Sequence, residues 1–470
     1  MLIAISVIMG VLIPMVPLLA GVFVLIPIAL IFVVLLLMYP LVGYYMLLTI
    51  SFFMFYPDRI LRTSLPTGIV IEGLMFILLL GTLYQKRSLR QSFPGPVGSP
   101  INLMLLVYIL YLLIEAFNGN MRSYEGLLFY YRKVTMFIVF YYVTLHLLDS
   151  RQKIMFFFKY WIFMSGLAGF YACIQDWFGL MPFEMAWLMA DPHLVGLYYQ
   201  GGVFRKFSFL SDPSACGILL AYSAILTIGF YQYNQSKKRK RLLLLAIFMI
   251  LGAVYTGTRT CYIVFIVGLV MYLFLDLQSK KTLGLAISAT IILGVVLFGP
   301  FYSPAFIRIR TLFRSTEDDS MKVRDENRKA IQPYLRTHPM GGGLATNGVE
   351  GERFNPGHPL AGKPADNGYL KFALEAGWLG LIVLILLYYV VVQQCVQFYY
   401  RTIDPGIKMV YRVLAAAMFS QMIAHFGQTA IGQMPGIFFF FASLAIINRL
   451  HTFDSDIVST DQDAEELTIA

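Results

Sequence analysis

Apolar runs of about 20 residues follow one another along most of the chain, parted by short polar or Gly/Pro-bearing breaks. A helix needs about 20 apolar residues to cross a bilayer core of roughly 30 Å. Runs and breakers together predict about 14 spans. They fall at 2–19, 21–39, 41–56, 68–84, 101–117, 130–148, 154–175, 211–233, 242–256, 260–275, 282–300, 368–392, 409–426 and 435–450. Pro14, Pro17 and Pro27 interrupt the first two, which could instead form one kinked hairpin. No basic stretch and no small-residue cleavage site accompanies the first run, so it is expected to be a retained helix. The predicted fold class is all-α, a polytopic bundle of about 12–14 transmembrane helices.

Two hydrophilic stretches interrupt this pattern, at 176–211 and 301–366. Within the longer one, "DSMKVRDENRKAIQPYLRTHP" is expected to be helical and to end at Pro339 and Gly341-Gly342-Gly343. The basic clusters are Lys86, Arg87 and Arg90; Arg151 and Lys153; Lys237-Lys238-Arg239-Lys240-Arg241; Lys280-Lys281; and Arg401 with Lys408. With the spans as drawn, all face one side, which the positive-inside rule makes cytoplasmic. Both hydrophilic stretches then lie on the outer side. The expected organisation is 1–200 as N-terminal transmembrane helices, 201–450 as a membrane domain carrying the large loop 301–366, and 451–470 as an acidic, disordered cytoplasmic tail.

Composition agrees with the pattern. The chain is 58% hydrophobic and only 13% charged, against about 25% charged for soluble domains. Its net charge of +10 sits in interhelical loops. Nucleic-acid binding would need a basic face on a soluble module, and no such module is seen. Cys173, Cys216, Cys261 and Cys395 are scattered through apolar runs, suggesting neither a disulfide framework nor a zinc site.

Charges inside spans are costly and point to function. Glu72, Glu115, Lys159, Arg259 and Glu375 are the candidates, and all but Lys159 lie near outer span ends. A transporter would place polar groups near the midplane; this pattern favours chemistry at the outer interface. In "VYTGTRTCYIVF" two spans meet through the short turn 256–260, so Arg259 stays at the membrane surface. Its guanidinium suits a lipid-borne phosphate, although an arginine snorkelling from a helix end reads the same way. In "GGVFRKFSFLSDPSACGILLA", Asp212 is the expected N-cap and Pro213 the first helical residue. The helix start beside Arg205 and Lys206 forms either an anion site or a plain helix start with two solvated cations.

Three stretches together resemble the O-antigen ligase and polymerase superfamily of bacterial envelope enzymes. They are "TGTRTCYIVFIVGLVMYLFL", "RDENRKAIQPYLRTHPMGGG" and "DNGYLKFALEAGWLGLIVL"; "FSFLSDPSACG" adds to them, and the resemblance covers most of 205–387. It implies a GT-C-like, metal-independent glycosyltransferase without cofactors, multi-pass in the bacterial inner membrane with its active face periplasmic. The implied donor is an undecaprenyl-diphosphate-linked glycan. The implied acceptor is a hydroxyl of a glycolipid or glycan, with membrane lipids as the other partners. Ligase and polymerase remain unseparated.

On this resemblance Arg205, Arg259 and Arg324 are expected at the diphosphate, with Arg328 one helical turn from Arg324. Tyr198, Tyr199 and Phe204 stack on sugars or form an interfacial belt. Asp366 stands where the ligase motif has its histidine. It is either a general base or the N-cap of the following helix. His358, in the same loop, is an alternative base, and Glu375 is expected to pair with Lys371 or a site arginine. Ala373, Gly377 and Gly380 make a small-residue face for close helix packing. Competing readings are a lipid-linked oligosaccharide flippase and a non-catalytic envelope-assembly scaffold. The first lacks midplane cations and similar halves here, and the second leaves the outer charges unexplained.

Overall fold

A computed structural model describes residues 30–62, 67–88, 98–200, 202–237, 239–300 and 319–454. The expected span 2–19 and the tail from 455 lie outside the described residues. The chain is all-α: apart from one isolated bridge, the described strands are a two-residue hairpin pair, β1 (Tyr199–Gln200) and β2 (Val203–Phe204). Seven described helices are long and apolar enough to cross a membrane, or eight with one bent pair. That pair is α1 (Leu30–Met38) and α2 (Pro40–Phe53), at 116° to one another. Pro40 at the break cannot donate the hydrogen bond that would carry the first helix onward.

The chain divides into two compact units, Met1–Ile50 with Pro66–Pro94, and Ser51–Leu65 with Gly95–Ala470. In the first, α2 packs on α4 (Thr67–Ser88), whose Leu78 fills the space over Gly43. The second unit contains α3 (Tyr56–Leu61), α5 (Pro100–Ile114), α6 (Tyr124–Leu147), α7 (Arg151–Trp177), α8 (Pro182–Met189) and α9 (Pro192–Tyr198). After the hairpin come α10 (Pro213–Tyr233), α11 (Arg239–Tyr255), α12 (Arg259–Phe274), α13 (Lys280–Phe298), α14 (Asp319–Thr337), α15 (Gly348–Phe354), α16 (Gly368–Arg401), α17 (Pro405–Gly427) and α18 (Gly436–Leu450).

Helices α10 and α17 form the centre and are the most buried of the spanning set. Backbones approach closely where side chains are small, as expected where dispersion rather than water drives packing. Val413 of α17 fills the space over Gly229 of α10, and Gly169 of α7 meets Gly252 of α11. At one end, polar bonds tie the helix junctions together: Arg151 pairs with Asp404 at 2.9 Å, and Arg412 with Asp276 at 2.7 Å. Tyr272 donates to Gln232 there at 2.9 Å. The clusters at 151–153, 239–241, 280–281 and 401–408 therefore share this end. The loop 176–211 and the segment 338–367 between α14 and α16 lie at the opposite end.

The first of these loops is folded. Leu188, Tyr198 and Phe207 form its small core, with Trp187 against it. Arg59 of α3, 1% exposed, donates to the carbonyls of Ser208 (2.9 Å), Leu210 and Ser211 (3.2 Å). Its guanidinium also lies over Phe207 and Trp187. Arg59→Met would orphan the Leu210 carbonyl beside the start of α10, while Ser208 keeps Gln175 (3.4 Å) and Ser211 keeps the Tyr198 hydroxyl (3.0 Å). The expected cost is about 2 kcal/mol, since an orphaned buried acceptor costs roughly 1–3 kcal/mol. Thermal unfolding of the purified protein checks this; an unchanged midpoint would mean the carbonyl finds another donor.

Candidate functional site

The first polar cluster lies where α10 and α12 begin. Asp212 caps α10 by accepting from the amides of Ser214 (2.8 Å) and Ala215 (2.9 Å), with Pro213 next, as its sequence predicts. Thr258 Oγ1 donates to the Pro213 carbonyl at 3.1 Å and so fastens the two helix starts together. Arg205 reaches the same turn, donating to the Thr256 carbonyl (3.0 Å) and to Thr258 Oγ1 (2.7 Å). Arg259, half-buried, is the first residue of α12, one step beyond. Lys206 is not a solvated cation: it is buried and faces Asp176 at 3.6 Å.

The second cluster is built on a broken helix. Gly377, at φ +67°, interrupts α16. The amides of Gly342 and Gly343 meet the carbonyls of Leu374 (2.8 Å) and Glu375 (2.9 Å), and the Trp378 amide donates to Pro339 (3.0 Å). The glycine-rich turn of the large loop thus supplies hydrogen bonds that the break removes, as backbone at membrane depth requires. Asn118 and Asn120 hold this turn through the carbonyls of Met340 (3.0 Å) and Gly341 (2.8 Å). Tyr111 donates to the Ala376 carbonyl and lies against Gly380. Ile331 and Leu335 of α14, with Leu360 and Ala365, bury their side chains against Ala373 and Leu374.

Between α6, α16 and α18 lies a cavity of about 160 Å³. Lys133, Glu350, Lys371 and Glu375 line one part of it. Lys371 pairs with Glu350 at 2.9 Å, joining α15 of the loop to α16. Among the described residues the Glu375 carboxylate receives one hydrogen bond, a long one of 3.4 Å from the Asn347 amide. His425 of α17 lies against Gly368, and its Nδ1 accepts from the Ile431 amide at 3.2 Å. When neutral it therefore carries its proton on Nε2.

Glu350 lies outside the spans. Burial pushes its carboxyl up, but Lys371, with Lys133 behind it, outweighs burial and holds it below the ordinary carboxylate range. A depressed folded-state pKa stabilises above the unfolded pKa, and that stability is lost as pH falls through the folded value. The attachment of α15 is therefore expected to loosen below about pH 4. Pepsin cleavage of this segment should quicken at acid pH in wild type more than in Glu350→Gln, after correction for pepsin's own activity. Equal profiles would remove the ion pair from the explanation.

Of the residues expected at the site from sequence, Glu375 alone lines this cavity. Arg205 and Arg259 meet at the 256–259 turn. Arg328 is on an exposed face of α14; Arg324 is on the same helix, with its side chain outside the described set. Asp366 is half-buried just before α16, and the cap is Asn367, which accepts from the Tyr369 and Leu370 amides. The capping alternative for Asp366 is thus corrected: Asn367 has the reach. Lys371 pairs with Glu350 rather than with Glu375, because α15 brings the nearer carboxylate.

His358 is an internal strut. Its Nδ1 accepts from the Leu360 amide (3.2 Å), its Nε2 faces the Tyr334 hydroxyl (3.3 Å), and burial beside Arg122 holds its pKa down. Glu115 is similarly engaged, by Tyr111 and Asn118, each at 2.9 Å. Tyr198 is a core residue and no sugar platform. Lys133, Glu350 and His425 were not expected from sequence. Lys133 and His425 fall inside the predicted spans 130–148 and 409–426, so the same charge-in-span criterion, extended to histidine, selects both.

No curated protein matches the chain. The O-antigen ligase family matches residues 244–385. That region holds the Arg259 turn, the glycine-rich turn, Glu350, Lys371 and Glu375; Arg205, Lys133 and His425 lie outside it. Within this multi-pass membrane protein, residues 244–385 are thus similar to the O-antigen ligase family.

Proposed function

We propose that the protein transfers a glycan from an undecaprenyl-diphosphate carrier to an acceptor hydroxyl at the outer face of a bacterial inner membrane. The observation that carries this reading is the Arg259 turn. It lies inside the O-antigen ligase match, and two helix starts and two arginines converge on it. Helix N-termini and guanidinium groups both favour phosphate oxygens. In the reaction the acceptor oxygen bonds to the anomeric carbon as the bond from that carbon to the diphosphate oxygen breaks. The diphosphate leaves with the bonding pair, so the catalytic demand is for cations, supplied by Arg205 and Arg259, with Arg324 and Arg328 of α14 as further candidates. The acceptor's proton passes to a carboxylate. Asp366 is the first choice, since it is half-exposed and relieved of the capping role.

The test compares lipid-linked intermediates and finished glycans from a deletion strain complemented with wild type, Arg324→Ala or Asp366→Ala. Single repeat units without long chains would identify a polymerase; long chains stranded on the carrier would identify a ligase. Normal glycans from stably expressed variants would remove these residues from the mechanism and favour a scaffold.

A further inference from the structure

The cavity between α6, α16 and α18 is separate in its lining from the Arg205 and Arg259 turn. Its charged part balances: Lys133 and Lys371 face Glu350 and Glu375, and one pair is closed at 2.9 Å. A phosphate here would meet two carboxylates and gain no net attraction. An uncharged ligand with many hydroxyls meets no such repulsion, because each hydroxyl both donates and accepts. Glu375 supplies the unmet acceptor. It is 1% exposed, lines the cavity, and among the described residues receives only the long hydrogen bond from Asn347. A buried carboxylate so poorly satisfied calls for a donor. Tyr108, Phe137 and Phe372 supply the apolar faces on which a sugar ring packs. The volume, about 160 Å³, equals about five waters' share of the liquid and suits one ring rather than a chain.

We infer that this cavity is a sugar-binding subsite taking one uncharged glycosyl unit, with a sugar hydroxyl donating to Glu375. Under the proposed function, on which its role rests, that unit is the terminal sugar of the acceptor. Leu384, Leu387, Phe440 and Phe441 line the cavity further along, where the alkyl chain of a simple glycoside would lie.

The test uses the full chain in lipid nanodiscs. All four native cysteines are buried, so a thiol introduced by Val134→Cys on the cavity wall is labelled selectively by a maleimide; Thr429→Cys provides a second position. Labelling is timed with octyl glucoside, octyl galactoside and octyl mannoside, and with octyl phosphate and octanol at matched concentrations. At least one glycoside is expected to slow labelling about tenfold more than octanol, as hydrogen bonds to a charged group allow. Glu375→Leu in the same background should erase the difference, with Glu375→Gln as the folded control that keeps an acceptor. Equal protection by all amphiphiles would overturn the proposal in favour of a hydrocarbon pocket. Preference for octyl phosphate would overturn it in favour of a lipid-phosphate site. Absence of protection at both positions would make the charges a structural network. Glycoside protection in a protein whose glycan assay shows no transfer would keep the subsite and reject the transferase, so the two failures are distinguishable.

Discussion

Arg259→Ala should lower glycan transfer by about two to three orders of magnitude, the cost of deleting one donor aimed at developing charge. In cells this appears as carrier-linked glycan accumulating while the finished product disappears. Arg259→Lys should not restore it, because an ammonium cannot present two parallel donors to a phosphate. The arginine begins α12, where Thr258 offers no side-chain cap, so an unfolding midpoint measured beside transfer separates a catalytic loss from a structural one. Arg205→Ala is a different experiment. Arg205 ties Thr256 and Thr258 to the loop, and its loss should reduce both activity and thermal stability. Wild-type transfer by Arg259→Ala at normal expression would move the diphosphate away from this turn.

Gly377→Ala is expected to be among the most damaging single methyl groups within the described residues, costing about 3 kcal/mol or more. A Cβ there would collide with the Pro339 carbonyl and lie 2.6 Å from the carbonyl carbon of Met340, both backbone atoms that cannot swing aside. The left-handed φ of +67° adds a conformational penalty that glycine alone avoids. Because the break holds the large loop, the loss should also release α14 and α15 to proteases. A variant with unchanged unfolding midpoint and unchanged proteolysis would show that the break tolerates a regular helix.

Much of the architecture was legible because hydrophobic periodicity and span length are local properties. The α10 start was readable from Asp212-Pro213, and the amphipathic α14 from its own repeat. The cavity was not, since it needs α6, α16 and α18 side by side, and tertiary contact between remote segments leaves no local mark. The roles of charged residues were the least legible. Glu115 and His358 carry the residue types of chemistry, yet each is engaged by hydrogen bonds: Glu115 by Tyr111 and Asn118, within four residues of it, and His358 by the Leu360 amide and the remote Tyr334. Lys371 found the carboxylate of α15 instead of the one a turn along its own helix. Asn367, not Asp366, capped α16, a one-residue difference decided by reach.

The glycine-rich turn precedes α16 in the chain, and this orders biogenesis. The carbonyls of Leu374 and Glu375 find their donors in Gly342 and Gly343, which leave the ribosome before them. Until those amides are in place, α16 is a span with open bonds at its break. The loop therefore acts as a template against which the membrane helix finishes folding, and an insertion within 339–343 would be read as a defect inside the bilayer rather than a change on its surface.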